Sequence, residues 1–180
     1  MTTRTNYKSI LDLTEIYAGW ALRSQVLEET DLDYGGFRCP EKLVCEPWAA
    51  ANILSTLTQI YVNLDSQYYY REDVWDRMEL AIKFLLRSQD QDGTVRGFFC
   101  EPEISLPSTA VSMLSLLRSY KWLVRDLTVN NDVSDRIKDF LDKAVEGIQN
   151  EPVFVNYHQF IIAEALLEYD RLFDNLEIQR

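Results

Sequence analysis

The tetrapeptide Leu22-Arg23-Ser24-Gln25 recurs as Leu86-Arg87-Ser88-Gln89, and a loop of matching composition follows each copy. The first loop reads Asp33-Tyr34-Gly35-Gly36-Phe37-Arg38-Cys39, the second Asp92-Gly93-Thr94-Val95-Arg96-Gly97-Phe98-Phe99-Cys100. Their Gly-Phe-x-Cys pieces lie 61 positions apart, as do Asp31 and Asp92, and Pro47 precedes Pro107 by 60. Ordered matches at nearly one offset mark a chain built from repeated supersecondary units, each burying its apolar face on its neighbour.

The text between the matches is helical in period. Apolar residues recur at helix spacing over 7–28, 46–63, 72–89, 106–124, 133–149 and 155–174. The odd segments are amphipathic. In the third, Glu72, Asp73, Asp76, Arg77, Glu79 and Lys83 leave Val74, Trp75, Met78, Ala81, Ile82, Leu85 and Leu86 as one apolar stripe. The even segments carry no Asp, Glu, Lys or Arg over 47–64, 104–117 and 152–163, the pattern of a helix packed on most sides. Pro47, Pro107 and Pro152 stand at or near their starts, where the missing N–H costs little. The fold this predicts is all-α: three αα-hairpins with charged helices outside and uncharged ones inside, forming part of an α/α-toroid. Loops are expected at 29–45, 65–71, 90–105 and 128–132. A closed toroid of this kind takes about six hairpins. The 180 residues therefore read as a single domain belonging to something larger, with open inner-helix surface for a second copy or a partner domain.

Composition excludes several partners. With 47% hydrophobic and 12% aromatic residues the chain can bury a core, and its formal charge of -11 disfavours nucleic acid and anionic membranes. Met1–Lys8 has no apolar stretch of the signal-peptide kind, which predicts a cytoplasmic location, and no segment has the composition of a membrane span. Cys39, Cys45 and Cys100 fit no metal-ligand spacing and read as reduced structural thiols. One histidine and scattered cysteines make no zinc site, and no motif calls for a cofactor.

The single histidine, His158, stands in Asn156-Tyr157-His158-Gln159, a polar cluster opening the last apolar helix. Helix N-termini supply free N–H donors and favour anions. Asn156 as an N-cap and His158 as a hydrogen-bonded structural residue is the plainer alternative. The repeat puts the loops 31–46 and 90–103 on one rim, bringing Arg38, Glu46, Trp48, Asp92 and Arg96. Arginine forks bind carboxylates, and tryptophan offers a platform for a sugar ring. Singly, Asp in a Gly-rich loop is a turn former and Trp48 a core residue. Tyr68-Tyr69-Tyr70, at a helix junction, reads as packing.

The stretches Asp65–Tyr70, Ala81–Thr94 and Ser105–Ala110, with Asn156-Tyr157-His158 heading Ile161–Leu166, resemble the N-terminal toroid of heparinase II/III-like polysaccharide lyases over roughly residues 30–175. The resemblance implies β-elimination on a uronic-acid polysaccharide or oligosaccharide. In that chemistry a group neutralises the carboxylate, a base takes the C5 proton and an acid protonates the leaving oxygen. Asn156 would help neutralise and His158 would act as base or acid, with Tyr157, Gln159, Arg38, Trp48, Arg96, Glu46 and Asp92 around the substrate. Tyr157 separates the Asn and His that the family sets side by side. The family's catalytic tyrosine, in a later hairpin, and its β-sandwich have no counterpart in these residues. Two alternatives stand beside the lyase. One is a non-catalytic α/α domain that binds carbohydrate or a protein. The other is a toroid enzyme of another class: a terpene-cyclase relative, or a glycoside hydrolase, for which Glu46 and Asp92 are the nominated carboxylate pair.

Overall fold

The computed structural model describes residues 2–39, 44–96, 106–126, 131–150 and 158–173. Six helices occupy them: α1 (Thr2–Ser24), α2 (Pro47–Tyr61), α3 (Glu72–Ser88), α4 (Leu106–Arg125), α5 (Asn131–Asn150) and α6 (His158–Phe173). Among the described residues there is no strand, only the isolated bridges Gln25–Phe37, Arg38–Cys45 and Gln89–Val95. The all-α expectation holds, and each helix falls on its periodic segment. The first helix stops at Ser24, short of the expected 28, because Gln25 turns out of the helix to pair with Phe37.

Helix α4, uncharged as far as Leu117, is central, packing on α2, α5 and α6, while α3 lies on α2 and touches α5. Small side chains allow this closeness. Ser108, Thr109, Ala110, Ser112, Ser115 and Ser119 are all buried on α4. Ser112, Ser115 and Ser119 return their hydroxyls to the carbonyls of Ser108, Val111 and Ser115, and so enter the core with their donors satisfied. Ser115 also meets the Asn52 side chain of α2 at 2.8 Å. Between these helices the core is Leu54, Leu57, Ile60, Met78, Ile82, Met113, Leu117, Ile137 and Leu141, all at 1% exposure or less.

Sequential pairing has a direction. The inner helices α2 and α4 pack most on each other, and of its sequence neighbours each favours the helix after it, α2 on α3 and α4 on α5, whereas α5 barely meets α6. Of the helices expected to be packed on most sides, α2 and α4 are. The third, α6, buries only Ile162, Ala165 and Tyr169 and leaves Phe160 and Leu167 in solvent. Its far end is anchored by Lys121–Glu168 at 2.6 Å, by Tyr169 donating to Asp142 at 2.5 Å, and by the ring of Phe173 between Tyr120 and Tyr169.

Candidate functional site

The repeat is present in three dimensions as one device used twice. The Gln25 amide donates at 2.9 Å to Gly35 O in its own loop and to Arg77 O in α3. The Gln89 amide donates to Gly93 O at 2.8 Å and to Phe140 O in α5 at 3.0 Å. Gly35 and Gly93 share φ +88, and a Cβ there would stand 2.3 Å from Leu80 O and 1.9 Å from Lys143 O. Only glycine allows this backbone conformation and this approach. Asp31 and Asp92 close the turns alike, each accepting at 2.9 Å from the amide two residues on, Asp33 and Thr94. Each glutamine therefore ties a loop to the next outer helix, and the duplicated motif is structural.

Between the two loops lies a cleft of about 570 Å³. Its floor is Phe84 and Pro47, and its polar groups are Asp33, Glu46, Arg87, Asp90 and Arg96, with Cys45 at the wall. Each is placed by local structure. Glu46 occupies the N-cap position of α2, in extended backbone ahead of Pro47. Arg96 follows the Gln89–Val95 bridge, is 78% exposed, and stands 3.9 Å from Asp90. Arg87 donates to Tyr34 O and lies 6.0 Å over the Tyr34 ring, joining the second repeat's helix to the first repeat's loop. Burial pushes the Cys45 thiol up to about 12, with Asp33 adding to the shift, so this sulfur stays protonated and unreactive at neutral pH.

The structure brings Glu46 and Arg96 together and leaves the other expected site residues that it describes, Arg38, Trp48, Asp92, His158 and Gln159, outside the cleft's lining. Arg38 is turned to Asp31 at 2.7 Å and faces a separate recess of about 460 Å³ with Arg23 and Glu28. The backbone amide of Asp33, and after it Arg38, hold the Asp31 carboxyl below the usual range. Trp48 is half-buried in the first turn of α2, its carbonyl accepting from Asn52. Asp92 serves its turn, accepting from both the amide and the hydroxyl of Thr94. His158 is half-buried and Gln159 exposed in the first turn of α6. Asn156, Tyr157 and Cys100 lie outside the described residues. Cys39 and Cys45 are both free thiols. Tyr70, at φ +47, meets Tyr61 edge to face and Tyr69 at a tilt and donates to Asp126, so the tyrosine run is packing.

Asp33, Arg87 and Asp90 were not singled out from sequence. The duplicated arginine, Arg23 and Arg87, was the available signal, since the repeat sets both at the same place before a loop. Among the described residues no cluster of His, Cys, Asp and Glu could hold a metal ion, and no helix is long and apolar enough to cross a membrane. No family model, curated protein or solved structure matches the chain.

Proposed function

We propose that this chain is an α/α-repeat domain of toroid type that binds a neutral, hydroxyl-rich carbohydrate in the cleft between its two repeat loops. The observation that carries this is the cleft's charge. Asp33, Glu46 and Asp90 contribute three negative charges against two positive charges from Arg87 and Arg96, a balance of -1. Carboxylates accept hydroxyl protons and guanidinium groups donate to ring and hydroxyl oxygens, while Phe84 and Pro47 offer an apolar floor. A strand of uronates would instead meet a lining that is net acidic on a chain that carries -11. Arg87 is already engaged with Tyr34 O, so Arg96 is the cleft's adaptable donor.

The lyase is the second reading, favoured by Arg96 in the cleft and by His158 opening α6. It assigns His158 and Asn156 to proton transfer and carboxylate neutralisation. One experiment separates the two. The chain is titrated with a neutral hexose oligosaccharide and with a uronate oligosaccharide by calorimetry, while absorbance of unsaturated uronate is followed. The binding domain predicts heat with the neutral sugar, an affinity loss of about tenfold for Glu46→Gln and Arg96→Ala (about 1.4 kcal/mol each), and no absorbance change. Heat with neither sugar rejects a carbohydrate site. A rise in absorbance that His158→Ala abolishes, with thermal stability unchanged, establishes the lyase instead.

A further inference from the structure

The joints built on Gln25 and Gln89 absorb the glutamines, glycines and aspartates of the repeat and leave its arginines unexplained. The Leu-Arg-Ser-Gln copies set Arg23 on Arg87 and Ser24 on Ser88. The bridges Gln25–Phe37 and Gln89–Val95 set Arg38 on Arg96, since each arginine directly follows the bridged residue. Arg87, Ser88 and Arg96 line the cleft already described. Arg23, Ser24 and Arg38 line the recess of about 460 Å³ beside the first loop. The two concavities therefore present the same three positions, taken once from each repeat.

Their chemistry matches in kind. Each serine hydroxyl donates to its own helix, Ser24 to Ala21 O and Ser88 to Phe84 O, both at 2.9 Å, so that its oxygen is left as an acceptor. In each concavity one arginine is held, Arg87 by Tyr34 O and Arg38 by Asp31 at 2.7 Å. The other arginine is the adaptable one: Arg96 in the cleft, and in the recess Arg23, exposed in the last turn of α1. Arg23 and Arg38 against Glu28 and Asp31 balance to 0, close to the -1 of the cleft. Val26 and Leu27 give the recess the apolar wall that Phe84 and Pro47 give the cleft. The loop over 26–38 divides the two, with Leu32 and Asp33 lining the cleft and Asp31 and Arg38 the recess.

We propose, resting on the carbohydrate reading of the cleft, that the recess is a second site for the same neutral, hydroxyl-rich ligand, so that the chain holds one sugar on each side of the loop over 26–38. Arg23 donates there to ring and hydroxyl oxygens, as Arg96 does in the cleft, and Glu28 accepts hydroxyl protons. A lining of balanced charge on a chain of -11 offers a uronate no net attraction.

Calorimetry with a neutral hexose disaccharide tests this on the 180-residue chain, on Arg23→Ala, on Arg96→Ala and on the double variant. Both arginines are exposed, so the melting temperature should be unchanged in all three variants. The wild type should take up two molecules per chain. Arg23→Ala should weaken one of them about tenfold and leave the other, Arg96→Ala should do the same to the opposite one, and the double variant should weaken both. One molecule per chain, weakened by Arg96→Ala and untouched by Arg23→Ala, overturns the second site and leaves the reading of the cleft standing. Two molecules per chain with Arg23→Ala silent also overturns it, because the second sugar then lies elsewhere. No heat with the disaccharide rejects the carbohydrate reading, and the recess with it.

Discussion

Of the described glycines, Gly93 leaves the least room for a Cβ. A methyl group there meets Lys143 O at 1.9 Å in a backbone conformation that L residues avoid. Gly93→Ala should therefore cost on the order of 3 kcal/mol, read as a lower denaturation midpoint in urea. A change within experimental error would mean that α5 can move away from the loop. Gln89 is the second sensitive point. Replacing it with alanine strips a donor from Gly93 O and Phe140 O, for about 1–3 kcal/mol. Gln25→Ala should cost a similar amount, because its amide makes the equivalent pair of bonds. Unequal losses beyond about twofold would show that the two copies of the device do not bear the same load. Asp31 adds a pH signature. Its folded pKa lies below its ordinary value of 3.8, so the stability it contributes is present above that value and is lost as pH falls through the folded pKa. The gap in melting temperature between wild type and Asp31→Asn should stay constant at neutral pH and close below about pH 3.8. A gap that persists in acid would locate the effect in the turn's geometry. Gln25, Asp31 and Asp92 were legible as repeat partners, but not as donors and acceptors. The distant acceptors of Gln25 and Gln89, Arg77 O and Phe140 O, are 52 and 51 residues away, and no local pattern points to them.

At the scale of elements, the seam between α2 and α4 accounts for the row of buried serines on α4. Ser108, Ser112, Ser115 and Ser119 keep their side chains short where the helices approach most closely. Ser115→Val should be overpacked and lose the Asn52 contact, destabilising by about 1–3 kcal/mol, whereas Ser115→Ala should cost about 1 kcal/mol or less. Equal effects of the two in chemical denaturation would place the seam's importance in the hydrogen bond rather than in volume. The six helices were legible because their apolar period is long and uninterrupted, and the prolines at 47 and 107 mark helix starts in the sequence as in the fold. The cleft was less so. Glu46 and Arg96 were singled out, but Asp33 comes from the first loop and Arg87 and Asp90 from the end of α3 and the turn after it, and only packing makes them one lining.

For the molecule as a whole, the sequence by itself determined helical content, the places of the six helices, and the existence of a unit repeated at an offset near 60. These follow from periodicity and composition, which act over a few residues and need no knowledge of neighbours. Tertiary structure alone decided what the repeat is for. The Gln-Gly-Asp loops are joints to the next helix rather than ligand groups, because the glutamine amides donate to backbone more than fifty residues distant while the aspartates close their own turns. It also decided which faces stay uncovered. At the positions that the Leu-Arg-Ser-Gln copies align, Val74, Ala81 and Phe84 of α3 are buried and Ile10, Tyr17 and Trp20 of α1 are exposed, a difference of packing that the shared apolar pattern does not carry.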